Sequence, residues 1–197
     1  MKRAVLLLAA LTASGEAPQH RNASVTEIPL FGRRDRHRLR DVDGDGRLDL
    51  VVAERLAIPS PMNLGFLGTG PFGPEPAEGR VLEVFRDVGR RNAEERRVLI
   101  GVPRDARCFA LAGVLPDPGL EIVFLDGKGV SAVTLAEPTV LRRLATLPGF
   151  FDFADSQSLP EWRLILPGRG PGARDEILFP VATGYRLLRP GAGATLE

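Results

Sequence analysis

The chain is poor in the residues that most often carry catalysis and cross-linking. It has a single cysteine, Cys108, two histidines, His20 and His37, one tryptophan and one tyrosine among 197 residues. One cysteine excludes an intramolecular disulfide framework and a cysteine-rich zinc site. Two histidines leave little for histidine-based catalysis or metal binding. The formal net charge is +1, too small a field to draw in nucleic acid or an anionic membrane. No apolar run approaches the roughly 20 residues that span a bilayer, so no membrane span is expected. Aromatics make up 6%, and no sustained helical period is present. What the chain has is 22 glycines and 17 prolines, a load that favours many turns and short elements. It is also 44% hydrophobic, enough to bury a core.

Met1-Lys2-Arg3 followed by the apolar stretch Ala4–Leu11 and the small residues Ala13, Ser14, Gly15 and Ala17 has the layout of a secretory signal peptide. The alternative is a buried N-terminal strand or helical turn. Cleavage after Gly15 or after Ala17 satisfies the small-x-small rule, with Pro18 disfavouring the second. No cysteine lies near the end of the apolar run, which argues against a lipid anchor. The expected localisation is secreted or periplasmic, with Cys108 an unpaired buried thiol. Residues 1–17 are thus assigned to the signal, 18–35 to a polar lead-in and 36–197 to the folded domain. The basic run Arg33-Arg34-Asp35-Arg36-His37-Arg38 reads as a solvated approach to the first strand. A phosphate-binding arm is the alternative, weakened because no aromatic side chain is interleaved for base stacking.

Strand-length runs follow, each with β-branched residues, alternation and Gly/Pro punctuation. They are Leu48–Ala53, Val81–Phe85, Arg97–Val102, Cys108–Val114, Leu120–Leu125, Val130–Leu135, Val140–Leu147, Arg163–Leu166, Glu176–Val181 and Tyr185–Leu188. Val140–Leu147 also suits a helical turn, since Leu141, Leu144 and Ala145 would share a face. Three of the runs open on an acid, at Asp49, Glu121 and Glu176, and are followed by a turn and a second amphipathic strand. Their spacings are 72 and 55 residues, and setting aside the 22-residue Pro/Gly insert from Ile58 to Gly79 brings the first to 50. A period near fifty with about four strands is the mark of propeller blades. An antiparallel sandwich with similar turns is the alternative. The blade boundaries expected are 36–104, 105–150 and 151–197.

One motif has defined chemistry. Asp41-Val42-Asp43-Gly44-Asp45-Gly46-Arg47-Leu48-Asp49 places carboxylates at loop positions 1, 3, 5 and 9. Alternate spacing on a tight loop turns Asp41, Asp43 and Asp45 toward one point. Gly46 permits the sharp turn, the Arg47 carbonyl can join, and Asp49 closes the ring from the strand. Oxygen donors in this number suit a hard cation, Ca²⁺ ahead of Mg²⁺. Mutual repulsion of the carboxylates implies that the loop orders only when loaded. An EF-hand is ruled out, because the bidentate Glu it needs at position 12 is here Val52 and the loop runs into a strand. A solvated Asp/Gly turn without metal is the alternative.

The stretch Asp41–Val52 resembles the calcium loop and second strand of the FG-GAP, or VCBS, repeats, which build integrin-α-like β-propellers. That resemblance implies an all-β fold, a partial or small β-propeller of about three four-stranded blades. It also implies Ca²⁺ held by Asp41, Asp43, Asp45 and Asp49 with the Arg47 carbonyl. The motif covers about twelve residues; the rest of the chain matches by strand order. The second unit, Pro116-Asp117-Pro118-Gly119-Leu120-Glu121, and the third, Gly168–Glu176, have too few carboxylates for a site, although Asp117 with Glu121 would make a weak one. From Arg36 to Glu197 there are 162 residues, room for about three blades where closed rings need 4–8. A partial propeller pairing through an exposed blade edge is therefore expected.

Catalytic signatures are absent: there is no G-x-S-x-G, no H-E-x-x-H and no Cys–His pairing. Ser156 and Ser158 lie beside Asp152 and Asp155 without a histidine, and Gly168–Gly172 lacks the helix and Lys-Ser/Thr of a phosphate cradle. Phe150, Phe151, Phe153 and Trp162 read as inter-blade packing, with a sugar-stacking platform as the alternative. Met62–Phe72 is the expected contact loop. The function expected is a noncatalytic binding, adhesion or structural module, with an unknown protein or glycan as ligand and no enzyme activity. The alternative is a scaffold or appendage of an extracellular polysaccharide-acting enzyme.

Overall fold

The computed structural model describes residues 33–55, 80–89, 93–151, 159–170, 172–191 and 195–197. The signal segment, the contact loop Met62–Phe72 and the group Asp152, Phe153, Asp155, Ser156 and Ser158 lie outside the described residues.

The protein is all-β, built from three antiparallel sheets that follow one another along the chain. The first contains β1 (Arg33–Arg40), β2 (Asp49–Arg55), β3 (Arg80–Phe85) and β4 (Arg97–Gly101). The second contains β5 (Ala106–Ala112), β6 (Glu121–Asp126), β7 (Gly129–Val133) and β8 (Arg142–Thr146). The third contains β9 (Ile165–Leu166), β10 (Glu176–Val181) and β11 (Gly184–Leu188). Each is an up-and-down meander in which strands pair in sequence order. Among the described residues the helical structure is one 3-10 turn, Ala93–Arg96, and no helix is long and apolar enough to cross a membrane.

One element differs from the sequence expectation and another is decided between two readings. The basic run is not a lead-in: Arg33–Arg40 is itself strand β1, paired along β2 from Arg33↔Arg55 to Arg40↔Asp49 with a bulge between Arg34 and Arg36. Its pattern is hidden because a strand needs only a partner for its backbone, and β2 supplies one. Val140–Leu147 resolves in favour of strand rather than helical turn, since β8 pairs with β7 through Val130↔Ala145 and Ser131↔Arg143. Among the described residues the third sheet has three strands.

The sheets pack face to face in chain order. Val51 and Ala53 of β2, Leu82 and Val84 of β3 and Ile100 of β4 meet Phe109, Ile122 and Phe124 of the second sheet. On the opposite face of that sheet Ala110, Val123, Leu125, Val130 and Leu144 meet Ile177, Phe179 and Leu188 of the third. Because both of its faces are covered, β6 is buried at every position and reads in sequence as a nearly unbroken apolar run rather than an alternating one. A smaller cluster of Leu39, Leu50, Val52, Phe85 and Val88 occupies the outer face of the first sheet. The segment Pro160–Trp162, ahead of β9, runs parallel along the edge of β5: the Phe109 N–H donates to the Pro160 carbonyl at 3.0 Å, and the Trp162 N–H donates to the Phe109 carbonyl at 2.6 Å. Glu161, between them, forms an ion pair with Arg38 of β1. Cys108 is free and buried, and its burial pushes the thiol pKa up.

Candidate metal centre

The acidic loop joins β1 to β2 and is shaped by its own side chains. Asp41 accepts the Gly44 N–H through Oδ1 and the Gly46 N–H through Oδ2, both at 2.9 Å. Asp43 Oδ1 accepts the Asp45 N–H at 3.3 Å and Asp45 Oδ1 the Arg47 N–H at 2.9 Å. These Asx turns need left-handed backbone at Gly44 and Gly46, with φ of 78° and 83°, which glycine adopts without a Cβ penalty. Backbone amides thus neutralise part of the carboxylate crowding in the loop.

Asp49 closes the loop from the first position of β2. It is 1% exposed; its Oδ2 accepts the Val42 N–H at 2.9 Å and its Oδ1 the Asp87 N–H at 3.0 Å. Carboxylate oxygens of Asp41, Asp43 and Asp49 lie within 4.8 Å of one another, a grouping that could hold a metal ion. Asp45 is not part of that group: its oxygens face Arg47, through the backbone N–H and, at 3.9 Å, the guanidinium. Burial and the neighbouring Asp49 and Asp45 charges raise the Asp43 carboxyl pKa, against the Asp45 N–H and the Arg86 guanidinium, 3.9 Å away, which lower it. Three oxygen donors held together against their own repulsion fit a hard divalent cation, whose charge would relieve that crowding.

Asp87 lies outside the loop motif. It sits in the turn after β3 with φ 52°, the only non-glycine residue with positive φ among those described. Its carboxylate takes Arg47 at 3.2 Å and also Arg96, while its backbone N–H braces Asp49. Asp87 is 38 residues from Asp49 in sequence. The available signal was its type, since aspartate tolerates the left-handed region better than most residues.

The repeat recurs in hydrogen bonding without the metal chemistry. The Val42 N–H donates to Asp49 seven residues on, the Val114 N–H to Glu121 seven residues on, and the Gly168 N–H to Asp175 seven residues on. The third acid is thus Asp175, one residue before the Glu176 suggested by sequence alignment. Glu121 Oε2 takes both Val114 and Leu115 N–H groups, at 2.7 and 3.0 Å. Asp175 takes Gly113 and Gly168. The loops also stack: the Leu120 N–H donates to the Val42 carbonyl at 2.7 Å, and the Asp175 N–H donates to the Gly113 carbonyl at 2.8 Å. Asp117 joins Glu121 in no three-residue acidic group among the described residues.

A second feature is an aromatic cleft of about 300 Å³ at the β10–β11 end, lined by Phe150, Phe151, Trp162, Pro180, Tyr185 and neighbours. Phe151 packs edge-on against Trp162 and Phe179, so these rings are inter-sheet packing. Phe150 and Tyr185 remain 58% and 60% exposed. The Trp162 indole N–H is spent on the Leu178 carbonyl at 3.0 Å. Compared with protein-family models, curated proteins and solved structures, the chain matches none.

Proposed function

We propose that the chain is a secreted or periplasmic calcium-binding module of FG-GAP/VCBS type, a partial β-propeller with a noncatalytic binding, adhesion or structural role. The observation that carries this reading is the convergence of Asp41, Asp43 and Asp49 carboxylates on one loop, within 4.8 Å, in a D-x-D-x-D-G-x-x-D pattern. Asp45 and the Arg47 carbonyl complete the ligand set that the resemblance implies. Ca²⁺ would there clamp the β1–β2 loop against the second sheet, because Val42, between two of the carboxylates, holds Leu120 through its carbonyl. Three consecutive meanders packed face to face support blades. Pairing with another chain through a blade edge belongs to this reading, and the cleft at Tyr185 offers a surface for a ring-stacking glycan.

Thermal melting with Ca²⁺ and with chelator, on the wild type and Asp43→Ala, tests the reading. Calcium at about 100 times its dissociation constant should add about 2.7 kcal/mol to the wild type and little to Asp43→Ala. A wild-type melting temperature indifferent to chelator would overturn it.

A further inference from the structure

The turn after β3 reaches the acidic loop with three consecutive residues, and each makes a different kind of contact. The Val88 N–H donates to the Leu48 carbonyl at 3.1 Å, and the Asp87 N–H donates to the Asp49 carboxylate at 3.0 Å. Arg86 brings charge instead: its Nε stands 3.9 Å from Asp43 Oδ2. That separation is too long for a hydrogen bond, and this Nε, although buried, makes none. From Nη2 the same guanidinium donates to the Leu135 carbonyl, just past β7 in the second sheet, at 3.4 Å. It is thus tethered on the far side by a neutral acceptor, while its charge falls on one of the three converging carboxylates. Arg47 is placed differently. Its guanidinium pairs with Asp87 at 3.2 Å and lies 3.9 Å from Asp45, which stands outside the converging group.

We propose that Arg86 is a built-in counter-cation of the candidate metal centre, the residue that sets how tightly Asp41, Asp43 and Asp49 hold a metal ion of given charge. An arriving cation gains the carboxylates but meets the guanidinium, which has no acceptor atom to offer it. Affinity for hard cations follows the charge collected around the site, so a fixed positive charge beside Asp43 subtracts from it. The opposition is Coulombic and grows with the charge of the ion, so a trivalent ion is held back more than a divalent one. Arg86 is 35% exposed, so salt screens the effect. Because no hydrogen bond joins Arg86 to Asp43, the arginine opposes the ion without consuming the ligand. This inference rests on the reading of the loop as a calcium site and concerns what governs the strength of that site.

The test is calorimetric titration of the wild type, Arg86→Gln, Arg86→Met and Arg86→Lys with Ca²⁺ and, separately, with Tb³⁺. Arg86→Gln removes the charge and keeps an amide donor for Leu135, whereas Arg86→Lys keeps the charge without the planar fork. Both neutral variants are expected to bind Ca²⁺ roughly tenfold more tightly than the wild type at low ionic strength, and to gain more for Tb³⁺. The gain should fade toward about 1 M salt, where the Debye length is about 3 Å. Arg86→Lys should stay near the wild type. A merely structural strut between the sheets would instead weaken binding in Arg86→Met and Arg86→Lys alike, with no dependence on salt. Unchanged or weaker binding by the folded neutral variants, an equal gain for both ions, or a gain that persists at high salt would overturn the proposal. If Arg86→Met does not fold, Arg86→Gln decides alone, and loss of the fold in Arg86→Gln as well would make the role structural and sink the proposal. Calcium bound by the wild type with unchanged constants in the variants overturns this proposal alone. No binding by any form overturns the calcium reading with it.

Discussion

Asp87 donates its backbone N–H to the Asp49 carboxylate at 3.0 Å while its own carboxylate holds Arg47 and Arg96. The candidate metal centre is therefore braced from outside its own loop. Two arginines that are 48% and 43% exposed contribute modestly after solvent screening, whereas the bond into buried Asp49 is sheltered. Asp87→Asn, which keeps tolerance for positive φ, should cost about 1 kcal/mol. Asp87→Val, β-branched in a left-handed turn, should cost about 3 kcal/mol. Urea midpoints measure both, and equal midpoints would remove Asp87 from the support of Asp49.

Glu83 lies fully buried at the centre of β3 between Val52 and Leu99, on the face that also holds Glu54 of β2. Neither of its carboxylate oxygens accepts a hydrogen bond, and the Arg97 guanidinium stands 4.0 Å away. Burial, and then the Glu54 charge, push its pKa up to about 7. The folded state thus keeps a proton that the unfolded state releases at ordinary carboxylate pH. Its contribution is fully present below about pH 4.5 and is lost as pH rises to about 7. Glu83→Gln should melt higher than the wild type at pH 8, by up to about 3 kcal/mol, and converge with it near pH 5. A difference between the two that does not change with pH would contradict this.

Gly119 packs where a side chain cannot go. Its φ is 100°, and a Cβ there would stand 2.5 Å from the Val42 carbonyl oxygen and 3.0 Å from the Asp43 carbonyl carbon. Gly46, with φ 83°, has nothing within 4 Å of that position. Gly119→Ala should therefore cost about 3 kcal/mol or more, combining strain with overpacking. Gly46→Ala should cost about 1 kcal/mol from strain alone. Equal melting losses would mean that the stacking of the acidic loop on the second sheet is not tight.

Glu121 performs in the second sheet the amide-capturing role that Asp49 has in the first. Burial raises its pKa, against the Leu115 and Val114 N–H groups that favour the charged form. Glu121→Ala strands two buried amides and should cost about 2–4 kcal/mol, while its melting still responds to Ca²⁺ as the wild type's does. Loss of that response on Glu121→Ala would place the calcium effect in the second loop.

The strands were legible because alternation and turn residues are local signals. The acid that opens the second strand was legible at Asp49 and Glu121. In the third unit two acids stand side by side, and only the Gly168 and Gly113 amides single out Asp175 over Glu176. Strand β1 was illegible, since Arg-rich sequence carries no apolar alternation and its strand character comes from pairing with β2. Of the loop carboxylates, spacing alone placed Asp45 with the others; only the fold shows that its Oδ1 accepts the Arg47 N–H.

By itself the sequence determined an all-β chain of short strands, the turns between them and the acidic composition of the first loop. These follow from residue preferences that act over two to ten positions. Tertiary structure decided which carboxylates converge, that Asp87 braces Asp49, and that Glu83 is buried without a hydrogen-bond partner. Each of those depends on contacts between segments far apart in the chain, where the desolvation and alignment of polar groups are set by packing rather than by neighbours in sequence.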